Sequence, residues 1–90
     1  MERKTDFILI GAAILDVLAQ PVSADVFTSG SLAAGKVTMN TGGDAMNEAS
    51  VLAGLGASVR LVSKIGQDVA GTQVIKACQS SHIDTAFIIE

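Results

Sequence analysis

Two glycines followed by polar residues at a predicted helix start are the most chemically informative feature of the sequence. The stretch TGGDAMNEAS begins at Thr41 and places Gly42 and Gly43 before Asp44 and Asn47. Glycines let a backbone approach a ligand closely, and the first N–H groups of a helix have no partner within the helix. Asn47 lies one turn after Asp44, and its carboxamide both donates and accepts hydrogen bonds. This combination suits a polyhydroxylated ligand such as a sugar.

A second acidic candidate, Asp16, follows the apolar run FILIGAAIL. Residues 6–13 predict a first buried strand, and ligands of open parallel sheets bind at the carboxyl ends of the strands. A carboxylate there would accept hydrogen bonds from two adjacent hydroxyl groups. The same residues also fit an ordinary turn, a helix cap at Asp44 and a solvated strand end at Asp16. Local chemistry therefore leaves both interpretations open.

The composition limits the classes of function. The chain has 90 residues, of which 49% are hydrophobic and 17% charged, with a formal net charge of -3. One small domain, or part of a larger one, is expected. The six Lys and Arg residues form no basic stripe, so we expect neither a nucleic acid nor a membrane as partner. One Cys78 and one His82 predict no metal site; Cys78 is expected in the core and His82 on the surface.

The apolar pattern changes several times along the chain. Residues 15–41 alternate in short pieces such as KVTMNT, which predict half-exposed strands or a flap. A helix of about three turns is predicted from Asp44, interpreted as its N-cap, to the glycines at 54 and 56. Residues 59–65 (VRLVSKI) predict a short strand.

The remainder predicts a second helix and a last strand. Asp68 is expected to cap a helix whose apolar residues recur at helical spacing, namely Gly71, Val74, Ile75 and Cys78. The segment IDTAFII predicts another strand. Strands that alternate with helices indicate an α/β fold with a parallel sheet.

The pattern as a whole resembles a known family. GGDAMNEASVLAGLGASVRLVSKIGQDVAG is similar to the first signature of the ribokinase-like (PfkB-type) carbohydrate kinases. That signature has two glycines, an Asn four positions on, a glycine-rich helix end, a short strand and G-x-D-x-x-G, here Gly66, Asp68 and Gly71. FILIGAAILD resembles the opening strand of the family, which ends in a substrate-binding Asp, and HIDTAFI resembles the segment after the second helix.

The resemblance implies the N-terminal part of a three-layer α/β/α fold, with residues 1–90 as a partial kinase domain and residues 17–41 as a small β lid. It implies a sugar pocket lined by four residues, Asp16, Gly42, Gly43 and Asn47. ATP and Mg²⁺ would be cofactors of the full-length enzyme, and in some members the lid also forms a homodimer contact. We expect a cytoplasmic location.

Departures from the family pattern limit the activity and the substrate that we expect of this chain. The family carries its catalytic base on a second, C-terminal motif of the GAGD type, which this chain does not provide, so we assign no catalytic residue and expect the chain alone to be inactive. NTGGDAMN resembles that motif superficially, with Asp44 in the place of the base. Asp44 is disfavoured as the base because its surroundings match the first signature. Ile14 replaces a polar residue and Asp44 replaces Lys of ribokinases. We therefore do not expect ribose as the substrate, and a hexose, a keto-deoxy sugar acid or a nucleoside stays open.

Two alternatives remain at this point. The chain would be a non-catalytic binding or dimerisation module if its lid strands serve only to join copies. MERKTD, the run FILIGAAIL and the small residues at 22–24 also fit a secretory signal peptide, although Asp6, Asp16 and Pro21 disfavour it. The run is too short for a membrane span, which needs about 20 apolar residues.

Overall fold

Two separate sheets, two α-helices and a short 3₁₀ helix make up the computed structural model, which describes residues 4–90. The elements in chain order are β1 (Phe7–Ile10), β2 (Ile14–Gln20), a short 3₁₀ helix (Ala24–Phe27), β3 (Lys36–Gly42), α1 (Asp44–Gly54), β4 (Val59–Lys64), α2 (Val69–Ser80) and β5 (Ile88–Ile89). A parallel sheet has the order β1-β4-β5, and β2 pairs with β3 in an antiparallel sheet. The predicted α/β class is confirmed. The basic start of the signal-peptide interpretation includes residues 1–3, which lie outside the described residues.

The core lies between the parallel sheet and the two helices. Its buried residues are Ala13, Ala45, Met46, Ala49, Val59, Leu61, Ile65, Val74, Cys78 and Ile83. Successive side chains of a strand point to opposite faces, so β4 directs Val59, Leu61 and Ser63 inwards. Cys78 is fully buried, and its Sγ lies 3.6 Å from Sδ of Met46. The prediction that Cys78 packs in the core is confirmed.

The apolar run after Asp6 is divided between the two sheets, which corrects the predicted strand of residues 6–13. Only Phe7–Ile10 pairs with β4. The carbonyl oxygen of Ala12 then accepts a hydrogen bond from the Met46 N–H at 3.2 Å, so the chain leaves the parallel sheet here. Asp16 consequently lies within β2, not at the end of the first strand.

Both helices end in the same hydrogen-bonded pattern. At the end of α1, the N–H of Gly56 donates to Ala53 and that of Ala57 donates to Leu52, with Gly56 at φ 93°. Such a Schellman motif needs a left-handed residue, which glycine adopts without strain. The predicted helix end is confirmed.

The end of α2 repeats this motif with a residue other than glycine. The N–H of His82 donates to Gln79 and that of Ile83 donates to Cys78, while His82 has φ 59°. The side chain of His82 is exposed, as predicted. This residue therefore shapes a helix end.

The last strand is shorter than IDTAFII predicts. Asp84 forms an isolated bridge to Arg60, and its Oδ1 accepts a hydrogen bond from the Ala86 N–H at 2.9 Å. This local turn interrupts the strand, so β5 contains only Ile88 and Ile89.

Arg60 contacts both Asp84 and Phe87. Its Nε donates to Oδ2 of Asp84 at 2.9 Å, and its guanidinium lies 4.6 Å from the ring centre of Phe87. The Ala86 N–H and then Arg60 lower the pKa of Asp84.

The other face of the parallel sheet carries no helix within residues 4–90. Ile8 and Ile10 are 56% and 77% exposed, and Ile89 is 60% exposed. The described residues thus form two of the three layers that the family resemblance implies. Within residues 4–90, neither helix has the length and apolarity needed to cross a bilayer.

Candidate functional site

The β2–β3 sheet has two chemically different faces. Its register pairs Ile14 with Gly42 at one end and Gln20 with Lys36 at the other. The more polar face carries Ile14, Asp16, Leu18, Gln20, Lys36, Thr38, Asn40 and Gly42, whereas Leu15, Val17, Ala19, Val37, Met39 and Thr41 lie on the opposite face. The sheet therefore presents its polar groups on the face that includes Gly42.

Asp16 and Gly42 are in direct contact. The Asp16 carboxylate lies over the Cα of Gly42, where an added Cβ would overlap Oδ2 of Asp16 and meet Cγ1 of Ile14 at 3.4 Å. Gly42 is buried, while Asp16 is exposed. A side chain at position 42 would displace the carboxylate, so glycine is needed here for close approach.

Gly43 joins β3 directly to α1. It has φ 90°, and a Cβ at this position would meet the carbonyl oxygen of Ala12 at 2.5 Å. Gly43 is the N-cap of α1, without a side-chain capping bond. The prediction that Asp44 is the N-cap is therefore wrong: the turn requires a left-handed residue, and Asp44 becomes the first residue of the helix. Its carboxylate still lies in the first turn, where the helix dipole favours negative charge.

Asn47 lies one turn into α1. Its N–H donates to the carbonyl oxygen of Gly43 at 2.9 Å. Its exposed side chain borders a shallow hollow on the outer side of α1, together with Glu48, Val51 and Leu52. Asp16 does not line this hollow. The structure thus brings Asp16, Gly42 and Gly43 together but does not place Asn47 and Asp16 in one hollow. The sugar-binding roles of all four residues stay predictions.

The G-x-D-x-x-G sequence forms the turn into α2. Oδ1 of Asp68 accepts a hydrogen bond from the Gly71 N–H at 2.8 Å, which confirms Asp68 as the N-cap. A Cβ on Gly71 would overlap the carbonyl oxygen of Gly66. A hollow of about 450 Å³ opens between this turn and the start of β2, with Leu15 and Lys64 among its lining residues. None of the four predicted sugar-site residues lines it.

One polar residue of the same face was not singled out from the sequence. Asn40 pairs with Asp16 across the two strands. The alternation in KVTMNTG places positions 40 and 42 on one face, but only the register shows which residue of β2 lies opposite. Among residues 4–90, no group of three or more His, Cys, Asp or Glu side chains is arranged to hold a metal ion.

Comparison with known families identifies the fold. The model of the pfkB family carbohydrate kinases matches residues 4–90. The chain belongs to the pfkB family of carbohydrate kinases. A ribokinase-like α/β fold, expected from the sequence, is thereby confirmed.

Solved pfkB-type structures superpose on nearly the whole chain. A PfkB protein from Polaromonas sp. JS666 matches with a TM-score of 0.79 and 27% identity, over 96% of this chain and 27% of that one. A fructokinase from Xylella fastidiosa matches with a TM-score of 0.76 and 28% identity, over 92% and 24%. An aminoimidazole riboside kinase from Salmonella enterica, in complex with aminoimidazole riboside and an ATP analogue, has a TM-score of 0.71, over 93% and 24%; at 21% identity, it supports the fold alone. This pfkB-family chain spans about a quarter of the length of these proteins.

Proposed function

We propose that the chain forms the sugar-binding part of an ATP-dependent carbohydrate kinase. The observation that carries the proposal is the contact between the Asp16 carboxylate and Gly42 at the glycine-led start of α1, in a chain of the pfkB family. The similar proteins include a fructokinase at 28% identity. Its name describes a polyhydroxylated substrate, which supports a polyhydroxylated acceptor here.

The chemistry of the site fits such a ligand. An ionised carboxylate accepts two or more hydrogen bonds, so Asp16 would bind neighbouring hydroxyl groups of the sugar. Gly42 and Gly43 leave the space beside it free of side chains. Asn47 would add a donor and an acceptor from the first turns of α1, where each Cα–Cβ bond tilts towards the helix start. The parts that we assign to the sugar are therefore Asp16, the two glycines and Asn47.

Phosphoryl transfer requires further groups. It depends on positioning a nucleotide, a metal ion and a base around the transferred group. We assign ATP and Mg²⁺ to the parts of a pfkB kinase that this quarter of the length does not include. The 90-residue chain is expected to bind sugar without phosphorylating it.

Titration of the chain with neutral sugars tests the proposal. With ¹⁵N-labelled chain and D-fructose, D-glucose and D-ribose, we expect one sugar to shift the amide signals of Gly42, Gly43 and Asn47. Asp16→Ala should weaken that binding at least tenfold, because hydrogen bonds to charged groups contribute about 1.5–3 kcal/mol. Asp25→Ala is the matched control, because Asp25 is an exposed carboxylate in the distant 3₁₀ helix. Equal binding by parent and Asp16→Ala would show that the site is misassigned.

A second candidate function is a homodimer formed through the lid strands. Val17, Val37 and Met39 lie on one face of the β2–β3 sheet, and each is 63% exposed. A contiguous exposed apolar face of this kind is typical of an interaction surface. Val37→Lys would lower the mass seen by sedimentation to that of one chain. Val51→Lys, at a 64% exposed valine on α1, would leave it unchanged; a monomeric parent contradicts this candidate.

A further inference from the structure

The register of the β2–β3 sheet places Asn40 directly opposite Asp16. Directly opposed residues of antiparallel strands have Cβ atoms about 4.5–5.5 Å apart. Because Gly42 follows Asn40 by two positions, and Asp16 covers the side of Gly42 where a Cβ would stand, both side chains lie on the same face. Both residues are exposed. A carboxylate and a carboxamide therefore lie side by side next to the start of α1.

Neither side chain uses its hydrogen-bonding capacity within the described chain. Among residues 4–90, the side chains of Asp16 and Asn40 take part in none of the intramolecular hydrogen bonds or ion pairs. Opposed Asp and Asn residues are able to bond to each other, but here the Asp16 carboxylate is turned onto Gly42. The amide of Asn40 thus keeps both donors and its acceptor available beside an available carboxylate.

We propose that Asn40 is a further sugar-binding residue and sets specificity for a hydroxyl group next to the one held by Asp16; this inference rests on the proposed function. Asp16 only accepts hydrogen bonds, whereas Asn40 also donates to a hydroxyl oxygen. The pair binds two neighbouring hydroxyl groups on one side of a sugar. A site that hydrogen-bonds a hydroxyl group discriminates against an analogue that lacks it, because the protein group is then left unpaired.

Other polar residues of the face are less well placed for this role. Thr38 pairs with Leu18, two residues farther from α1 than the pair of Asn40 and Asp16. Lys36 pairs with Gln20 at the end of the sheet that lies farthest from α1 along the strands. Thr38→Val therefore provides a control of similar shape on the same strand and face. Asn40 also borders a hollow beside α2, lined by Met39 and Gln73 among others. The stability of each variant must accordingly be measured beside its binding.

The test combines a substitution in the protein with removal of one hydroxyl group from the sugar. The chain, Asn40→Ala and Thr38→Val are titrated with the best-binding sugar of the neutral panel and with each of its monodeoxy derivatives, and urea unfolding is recorded for all three. Asn40→Ala should weaken binding of the parent sugar about three- to tenfold, the range for one neutral hydrogen bond. For one deoxy derivative, the same substitution should change affinity less than about twofold, because the partner hydroxyl group is already absent. Thr38→Val should bind like the parent.

Each other outcome overturns the inference in a recognisable way. If Asp16→Ala loses binding and Asn40→Ala does not, the proposed function stands and the role of Asn40 is wrong. Equal weakening by Asn40→Ala for the sugar and every deoxy derivative would mean that Asn40 acts through the fold. If the unsubstituted chain binds none of the sugars, the proposed function and this inference fail together.

Discussion

Replacement of Gly71 by alanine tests whether the turn into α2 is as tight as its geometry indicates. Gly71 is the third residue of α2, and a Cβ there would overlap the carbonyl oxygen of Gly66 and lie 3.4 Å from Oδ1 of Asp68. The turn must therefore open to admit the methyl group. Such overpacking lowers the free energy of unfolding by about 1–3 kcal/mol. Opening it also strains the Asp68 cap, worth about 1 kcal/mol. Alanine gains about 1 kcal/mol over glycine in helix propensity.

We therefore expect Gly71→Ala to lower the free energy of unfolding by about 2 kcal/mol, a large part of the total of about 5–15 kcal/mol typical of a folded domain. Urea unfolding followed by circular dichroism measures the change. Gly54→Ala is the matched control, because Gly54 lies in α1 with no atom within 4 Å of an added Cβ. It should stabilise the chain by up to about 1 kcal/mol. If Gly71→Ala is stabilised as much as Gly54→Ala, the steric reasoning is refuted.

Three further predictions concern other parts of the chain. His82→Gly should raise the free energy of unfolding by about 1 kcal/mol, since His82 adopts a left-handed conformation at φ 59°; unchanged or lower stability in urea would count against this. Burial raises the pKa of the Cys78 thiol and excludes reagents, so a thiol reagent should label the chain only as it unfolds, and rapid labelling without urea would contradict the buried position. The pKa of Asp84 lies below its ordinary value of 3.8 when folded, because of the Ala86 N–H and Arg60. The stability that Asp84 contributes is therefore present above about pH 4 and lost as the pH falls through the lower, folded pKa. Asp84→Asn should reduce this acid dependence in urea titrations at pH 6 and below, and an identical pH profile would disprove it.

The central strand and the second helix of the α/β body are predictable from local pattern. The periodicity of β4 and α2 and the cap at Asp68 depend on neighbouring residues, so the sequence carries their signals directly. The division between β1 and β2 depends instead on the hydrogen bond from Met46 to the Ala12 carbonyl oxygen, which joins residues far apart in the chain. No local pattern in FILIGAAIL indicates where that bond forms.

The candidate site is likewise predictable from the sequence only in part. The glycines and Asn47 are recognisable from their spacing, and Asp16 from its place after an apolar run. The N-cap was misassigned because Asp is a common cap, whereas the left-handed turn at Gly43 is set by contact with Ala12. The sequence does not single out Asn40, because its position opposite Asp16 depends on the register of β2 and β3. The pattern does not show where the loop between these strands begins and ends, so it does not determine that register.

The β2–β3 sheet is connected to the α/β body by two short links. Gly11–Ala13 precede β2, and Gly43 alone separates β3 from α1. The Met46 N–H bonds to the Ala12 carbonyl oxygen between these links, and both strands also contact α2. The end of the sheet that carries Asp16 and Gly42 is therefore the end that is fixed to the α/β body.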